Sequence, residues 1–137
     1  MPLMKIHVLK GRSPEMIERL LDTVHEAMVE SFKVPERDLY QILTEHEPTH
    51  LRALNTGLNI LRTRDFVLVE VVTRPRSREE KVDFYKRLTD KLSSNCSVEP
   101  SDVMVSIVQN TDDDWSFGMG VAQFLTGELD RPATSPA

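Results

Sequence analysis

Phe66-Val67-Leu68-Val69-Glu70-Val71-Val72-Thr73 runs without a break into Arg74-Pro75-Arg76-Ser77-Arg78-Glu79-Glu80. The first eight residues are rich in β-branched side chains and contain no turn former, the pattern of a buried strand. Ser77 followed by Glu80 has capping-box spacing, in which a serine and an acidic side chain three positions on satisfy each other's backbone N–H groups. The helix opened in this way carries Val82, Tyr85, Leu88 and Leu92 as its expected apolar stripe. Val103 to Val108 then reads as another strand. A strand, a helix and a strand in this order make a βαβ crossover, with the two strands parallel.

The same order occurs earlier in the chain, at an offset of 64 residues. Val8, Arg12, Ser13, Glu15, Val34 and Asp38 fall on Val72, Arg76, Ser77, Glu79, Val98 and Asp102. Leu3 to Leu9 is the first strand, and Ser13 caps a helix with Pro14 at its first position. Ile17, Leu20, Leu21, Val24, Ala27, Met28 and Phe32 recur at three- and four-residue steps. Val34-Pro35 stops the helix, because proline disfavours the helical conformation at the residue before it. Leu39 to Thr44 is the second strand. The expected fold class is therefore α/β (α+β), with tandem βαβ units forming one four-stranded mixed sheet and both helices on one face. The halves span about 2–46 and 66–109 of a single domain over 1–129. Residues 47–63 form an irregular connector, 111–129 a turn with short pieces of structure, and 130–137 a flexible C-terminal tail. Two helices cannot cover both faces of such a sheet, so self-association is expected.

The length, 137 residues, suits one domain and a real core. No apolar run approaches the ~20 residues needed to cross a bilayer, and no signal-like N-terminus is present. No membrane partner is therefore expected. A single cysteine, Cys96, excludes an intramolecular disulfide framework and fits a reducing, cytoplasmic setting. The net charge of -5 repels phosphate, which argues against nucleic acid as a partner. A small anionic ligand remains possible wherever cations cluster.

Several constellations could carry chemistry. His46-Glu47-Pro48-Thr49-His50 satisfies a zinc-hydrolase pattern, but that pattern works only on a helix. Here a strand ends near His46 and Pro48 separates the histidines, so a polar strand end and loop is expected and no metal site. Arg74-Pro75-Arg76-Ser77 follows a buried strand and opens a helix, where N–H groups and two guanidinium forks can hold a carboxylate. The same arginines would also suit a solvated turn. Pro2 becomes a terminal secondary amine once the initiator methionine is removed, able to act as base, hydrogen-bond donor or iminium-forming nucleophile. Many chains begin Met-Pro without using it. Asp38 precedes the second strand, and its mate Asp102 supports a turn-forming role for both. Trp115, Phe117, Phe124, Leu125 and Leu129 form either a small apolar cluster or the wall of a pocket. Cys96 reads as structural.

Taken together, Pro2, the two βαβ halves, Arg74-Pro75-Arg76-Ser77, Asp112-Asp113-Asp114-Trp115-Ser116-Phe117-Gly118 and Ala122-Gln123-Phe124-Leu125-Thr126-Gly127 resemble the tautomerase superfamily, and within it the malonate semialdehyde decarboxylase branch. The resemblance covers about residues 2–129. Asn55, before Thr56-Gly57, departs from the acidic residue expected there. The resemblance implies a homotrimer with its sheets facing inward. It also implies cofactor-independent decarboxylation of a small anionic 3-oxo acid, malonate semialdehyde, to acetaldehyde and CO2. Its catalytic proline matches Pro2 and its aspartate matches Asp38. Its carboxylate-handling arginines match Arg74 and Arg76, and its apolar wall matches Trp115, Phe117, Phe124 and Leu129. Sister activities on the same scaffold are tautomerisation and the hydration or dehalogenation of 3-substituted acrylates. A non-catalytic trimeric binding protein is the alternative from another class.

Overall fold

The repeat in the sequence becomes a repeat in space. In the computed structural model, which describes residues 1–129, strand β1 (Leu3–Leu9), helix α1 (Pro14–Phe32) and strand β2 (Gln41–His46) form one unit. Strand β3 (Val67–Thr73), helix α2 (Arg78–Cys96) and strand β4 (Val103–Gln109) form the other. The sheet order is β2-β1-β3-β4. Each unit pairs its own strands in parallel, and β1 meets β3 antiparallel at the centre, with Leu3 opposite Val72 and Val8 opposite Val67. This is the four-stranded mixed sheet with two main helices that the sequence predicts. The tail expected over 130–137 lies outside the described residues.

Alternation along the strands decides which side faces the helices. Met4, Ile6 and Val8 of β1 and Val67, Val69 and Val71 of β3 are buried. They pack with Leu20, Val24, Ala27, Met28 and Phe32 of α1 and Leu88 and Leu92 of α2. The helices touch through Phe32 and Phe84, whose ring centroids lie 5.1 Å apart. Removing one such core side chain costs about 2–5 kcal/mol. Ser13 caps α1 by accepting from the Met16 N–H, and Ser77 and Glu80 complete the expected capping box on α2. Each helix closes on a left-handed residue, Lys33 (φ 53°) and Ser97 (φ 56°), and α1 ends at Phe32, before Val34-Pro35.

Two expectations are corrected. The second strand runs Gln41–His46 rather than Leu39 to Thr44, because its ladder with β1 starts at Met4 opposite Gln41. The apolar face of α2 is Phe84, Leu88 and Leu92. Val82 is 57% exposed and Tyr85 is exposed as well, since burying Phe84 against Phe32 sets the helix phase.

The opposite sheet face carries the alternate residues, with no helix over it among the described residues. Ile42, Met104 and Val108 are exposed there. Its centre is polar: His7 Nδ1 lies 2.9 Å from His46 Nε2, and His7 Nε2 lies 3.0 Å from Glu70 Oε2.

Candidate active site

Because the central pair is antiparallel, β1 and β2 begin at the same end of the sheet where β3 and β4 finish. The Met4 N–H donates to Tyr40 O at 2.9 Å, and the Asn110 N–H donates to Thr73 O at 2.8 Å. These bonds bring four segments together: the chain start, the approach to β2, the β3–α2 turn and the exit from β4. Pro2 is buried at this end, next to Met1.

The two arginines of the turn are held differently. Arg74 Nε donates to Asp112 Oδ1 at 2.6 Å, and its guanidinium lies 3.9 Å from the Phe124 ring centroid. Arg76 Nε donates to Thr73 Oγ1 at 3.1 Å, and a terminal nitrogen reaches Phe32 O at 3.4 Å. Its guanidinium lies 5.0 Å from the Phe32 ring centroid. Among the described residues no carboxylate makes an ion pair with Arg76. Burial pushes the Arg76 guanidinium below its ordinary value, with Glu80 opposing. An arginine nevertheless stays cationic at neutral pH.

The amino terminus lies between these charges. Burial first, and then Arg76 and Arg74, lower the Met1 ammonium from 8.0 to about 6, against the opposing pull of Asp38 and Asp112. Asp38 is only 5% exposed. Burial raises its carboxyl above the ordinary range, while the terminal ammonium, Arg37, Arg76 and His25 pull it down. Its repeat mate behaves otherwise: Asp102, fully buried, accepts from the Thr63 N–H at 2.7 Å and from the Thr63 hydroxyl. Both aspartates close a turn, the Asp38 N–H donating to Pro35 O at 3.0 Å and the Asp102 N–H to Glu99 O at 2.8 Å. The Asp38 carboxyl in addition acts on the Met1 ammonium and raises it.

An aromatic wall flanks the arginines. Trp115 and Phe117 stack with centroids 5.4 Å apart, and Phe117 meets Phe124 edge-on at 5.5 Å. Tyr40 joins them 5.9 Å from Phe117. Trp115 Nε1 donates to Asn110 Oδ1 at 2.7 Å. Gln123 Oε1 accepts from the Phe117 N–H at 2.9 Å, while Gln123 O accepts from the Leu129 N–H at 3.4 Å. Leu129 is half-buried at the end of this segment, whereas Leu125 points away and is exposed. The cluster continues the site through Arg74 on Phe124.

Asn110 and Tyr40 are site neighbours that the sequence patterns did not single out, and Asp112 and Gln123 stood within quoted motifs without a role of their own. The signal available for Asp112 was an acidic run just after β4, which reads equally well as a solvated turn. The His46–His50 segment is a strand end followed by a turn, with the His50 N–H donating to Glu47 O. His46 bonds His7, not His50.

Two tautomerase enzyme family models match, over residues 38–118 and 2–53. Probable tautomerase YrdN of Bacillus subtilis (strain 168) is 43% identical over 129 residues, covering 94% of this chain and all of that protein. The chain belongs to the tautomerase family. Crystal structures of malonate semialdehyde decarboxylase superpose with a TM-score of 0.91 at 47% identity, covering 93% of this chain and 98% of that one. They include a mutant whose first-residue proline is replaced by alanine, and are described as a structural basis for decarboxylase and hydratase activities. FG41 malonate semialdehyde decarboxylase inhibited by 3-bromopropiolate gives a TM-score of 0.90 at 39% identity, over 95% of this chain and 99% of that one. A fused 4-OT symmetric trimer shares the fold at 22% identity and a TM-score of 0.74, covering 91% and 98% of the two chains.

Proposed function

We propose that this tautomerase-family chain decarboxylates malonate semialdehyde to acetaldehyde and CO2, using the Pro2 amine exposed when Met1 is removed. The observation that supports this reading is the chain start: the Met1 amine, one residue ahead of buried Pro2, feels a buried aspartate and two arginines, beside an aromatic wall. The chemistry calls for these parts. When the bond to the carboxylate breaks, its electron pair must enter the carbonyl. A protonated amine hydrogen-bonds the carbonyl oxygen and stabilises the enolate, which then takes a proton at carbon to give acetaldehyde. A neutral amine condenses with the aldehyde instead, releasing water. The iminium loses CO2 to give an enamine, which is protonated at carbon and hydrolysed. The charges that act on the Met1 amine would act on a Pro2 amine in its place: Asp38 and Asp112 favour the first route, while burial and the arginines favour the second.

The arginines turn the carboxylate so that the breaking bond stands perpendicular to the carbonyl plane. Trp115, Phe117, Phe124 and Leu129 supply an apolar surface that suits neutral CO2 better than the carboxylate. The open sheet face, with Ile42, Met104 and Val108 exposed, supports a homotrimer whose sheets face inward. One observation favours hydration of a 3-substituted acrylate as a second activity: the raised Asp38 carboxyl is a better base toward water.

Purified protein tests these readings when assayed with malonate semialdehyde beside phenylenolpyruvate and 3-chloroacrylate. The expected result is acetaldehyde and CO2 in equal amounts as the fastest turnover, with an intact mass lacking Met1. Faster ketonisation or dehalogenation would reassign the activity, and retention of Met1 with no turnover would leave a binding protein.

A further inference from the structure

We propose that Asp112 is a positioning residue: by pairing with Arg74 it weakens that arginine's grip on the substrate carboxylate and leaves Arg76 as the principal anchor. The proposal rests on the decarboxylase reading above for its consequence, and on geometry for its substance. Asp112 Oδ1 accepts from Arg74 Nε at 2.6 Å while the guanidinium lies 3.9 Å from the Phe124 ring centroid. The Arg74 and Asp112 side chains are only partly exposed. Arg76, two residues on, bonds a hydroxyl and a carbonyl, both neutral. Among the described residues one guanidinium of the pair is thus in direct contact with an anion, while Glu80 and Asp38 act on the other without an ion pair.

Asp112 is well placed to hold this pairing. It opens a short 3-10 turn, Asp112–Asp114, closed by the Asp114 N–H donating to Thr111 O at 3.0 Å and the Thr111 N–H donating to Asp114 Oδ2 at 2.8 Å. Asn110, just before the turn, holds Trp115. The pairing matters because the carboxylate loses its negative charge as CO2 departs. A cation that grips the ground state more than the transition state slows the step. With Asp112 beside it, Arg74 orients the carboxylate while attracting it less.

The charged groups facing the terminal amine are Asp38 before β2, Arg74 and Arg76 after β3, and Asp112 after β4. Arg37 and His25 face Asp38 in turn. Asp112→Asn keeps an oxygen for Arg74 Nε and removes one negative charge from this set. Three readouts follow: kcat and KM for malonate semialdehyde, the Kd of 3-hydroxypropanoate (a carboxylate with no carbonyl), and the pH midpoint for acylation of the terminal amine. The variant is expected to lower kcat and KM together, each by threefold or more. It should tighten 3-hydroxypropanoate by a similar factor and move the amine midpoint to lower pH. Asp113→Asn, on the same turn, should leave the 3-hydroxypropanoate Kd unchanged. A merely structural Asp112 would weaken ligand binding, and a Kd that is unchanged or raised overturns the proposal. If the native protein shows no decarboxylation but Asp112→Asn still tightens 3-hydroxypropanoate, the function falls and the role of Asp112 stands.

Discussion

Arg76 and Arg74 look equivalent along the chain and are not equivalent in the fold. Arg76 keeps its positive charge unanswered by any carboxylate ion pair among the described residues, and it lowers the terminal ammonium more than Arg74 does. Arg76→Ala is therefore expected to cut kcat/KM by at least tenfold, about 1.4 kcal/mol of transition-state stabilisation, with the fold intact by circular dichroism. Unchanged kinetics would remove Arg76 from the site. Asp38 makes a second contrast. Its carboxyl titrates above the ordinary range in the folded protein, so folding binds protons over that window and stability falls as pH rises through it. Asp38→Asn should thus keep or raise the denaturation midpoint at neutral pH while lowering turnover. A marked loss of stability would mean that Asp38 is structural. The sequence brought Pro2, Asp38, Arg74 and Arg76 into view, because the chain start, strand entry and strand-to-helix turn are all marked by residue type. It placed Asp112 in a family-like motif without giving it a partner, because an aspartate after a strand has no further signature until a residue 38 positions away is brought beside it.

Elements were legible to the extent that local chemistry determines them. Ser13-Pro14 and Ser77 with Glu80 carry the helix starts in their own side chains, and both act as caps. The phase of α2 was not legible, because Val82 and Tyr85 fit a helical stripe as well as Phe84 does. Only the Phe32 ring across the helix interface decides between them. The start of β2 depended likewise on its register with β1. Asp102 shows what an element-level tie contributes. Fully buried, it anchors the connector to the entry of β4 through Thr63. Asp102→Ala leaves the Thr63 N–H without that partner and should cost about 1–3 kcal/mol in urea denaturation. A loss under 0.5 kcal/mol, the ordinary range for a surface change, would contradict the tie.

At the scale of the molecule, the repeat builds two ends of one sheet and uses them differently. One end gathers a terminal amine, two arginines and an aromatic wall. At the other, Thr63 supplies a backbone N–H to Asp102, whereas the repeat mate Asp38 lies at the first end and acts on the amine. The uncovered sheet face bears on assembly. A homotrimer should sediment at three times the chain mass, and Val108→Asp should shift it toward monomer without unfolding it. Sedimentation of the native protein as a monomer at micromolar concentration would contradict the trimer. Whether amine and arginine share a site is decided by the pH dependence of acylation of the terminal amine, with and without 3-hydroxypropanoate, in native protein and in Arg76→Ala. The predicted result is protection of the native amine by the carboxylate, loss of that protection in the variant, and a midpoint that rises when the cation is removed. An amine labelled equally with and without the carboxylate, and with the same midpoint in both proteins, would show that amine and arginine do not share a site.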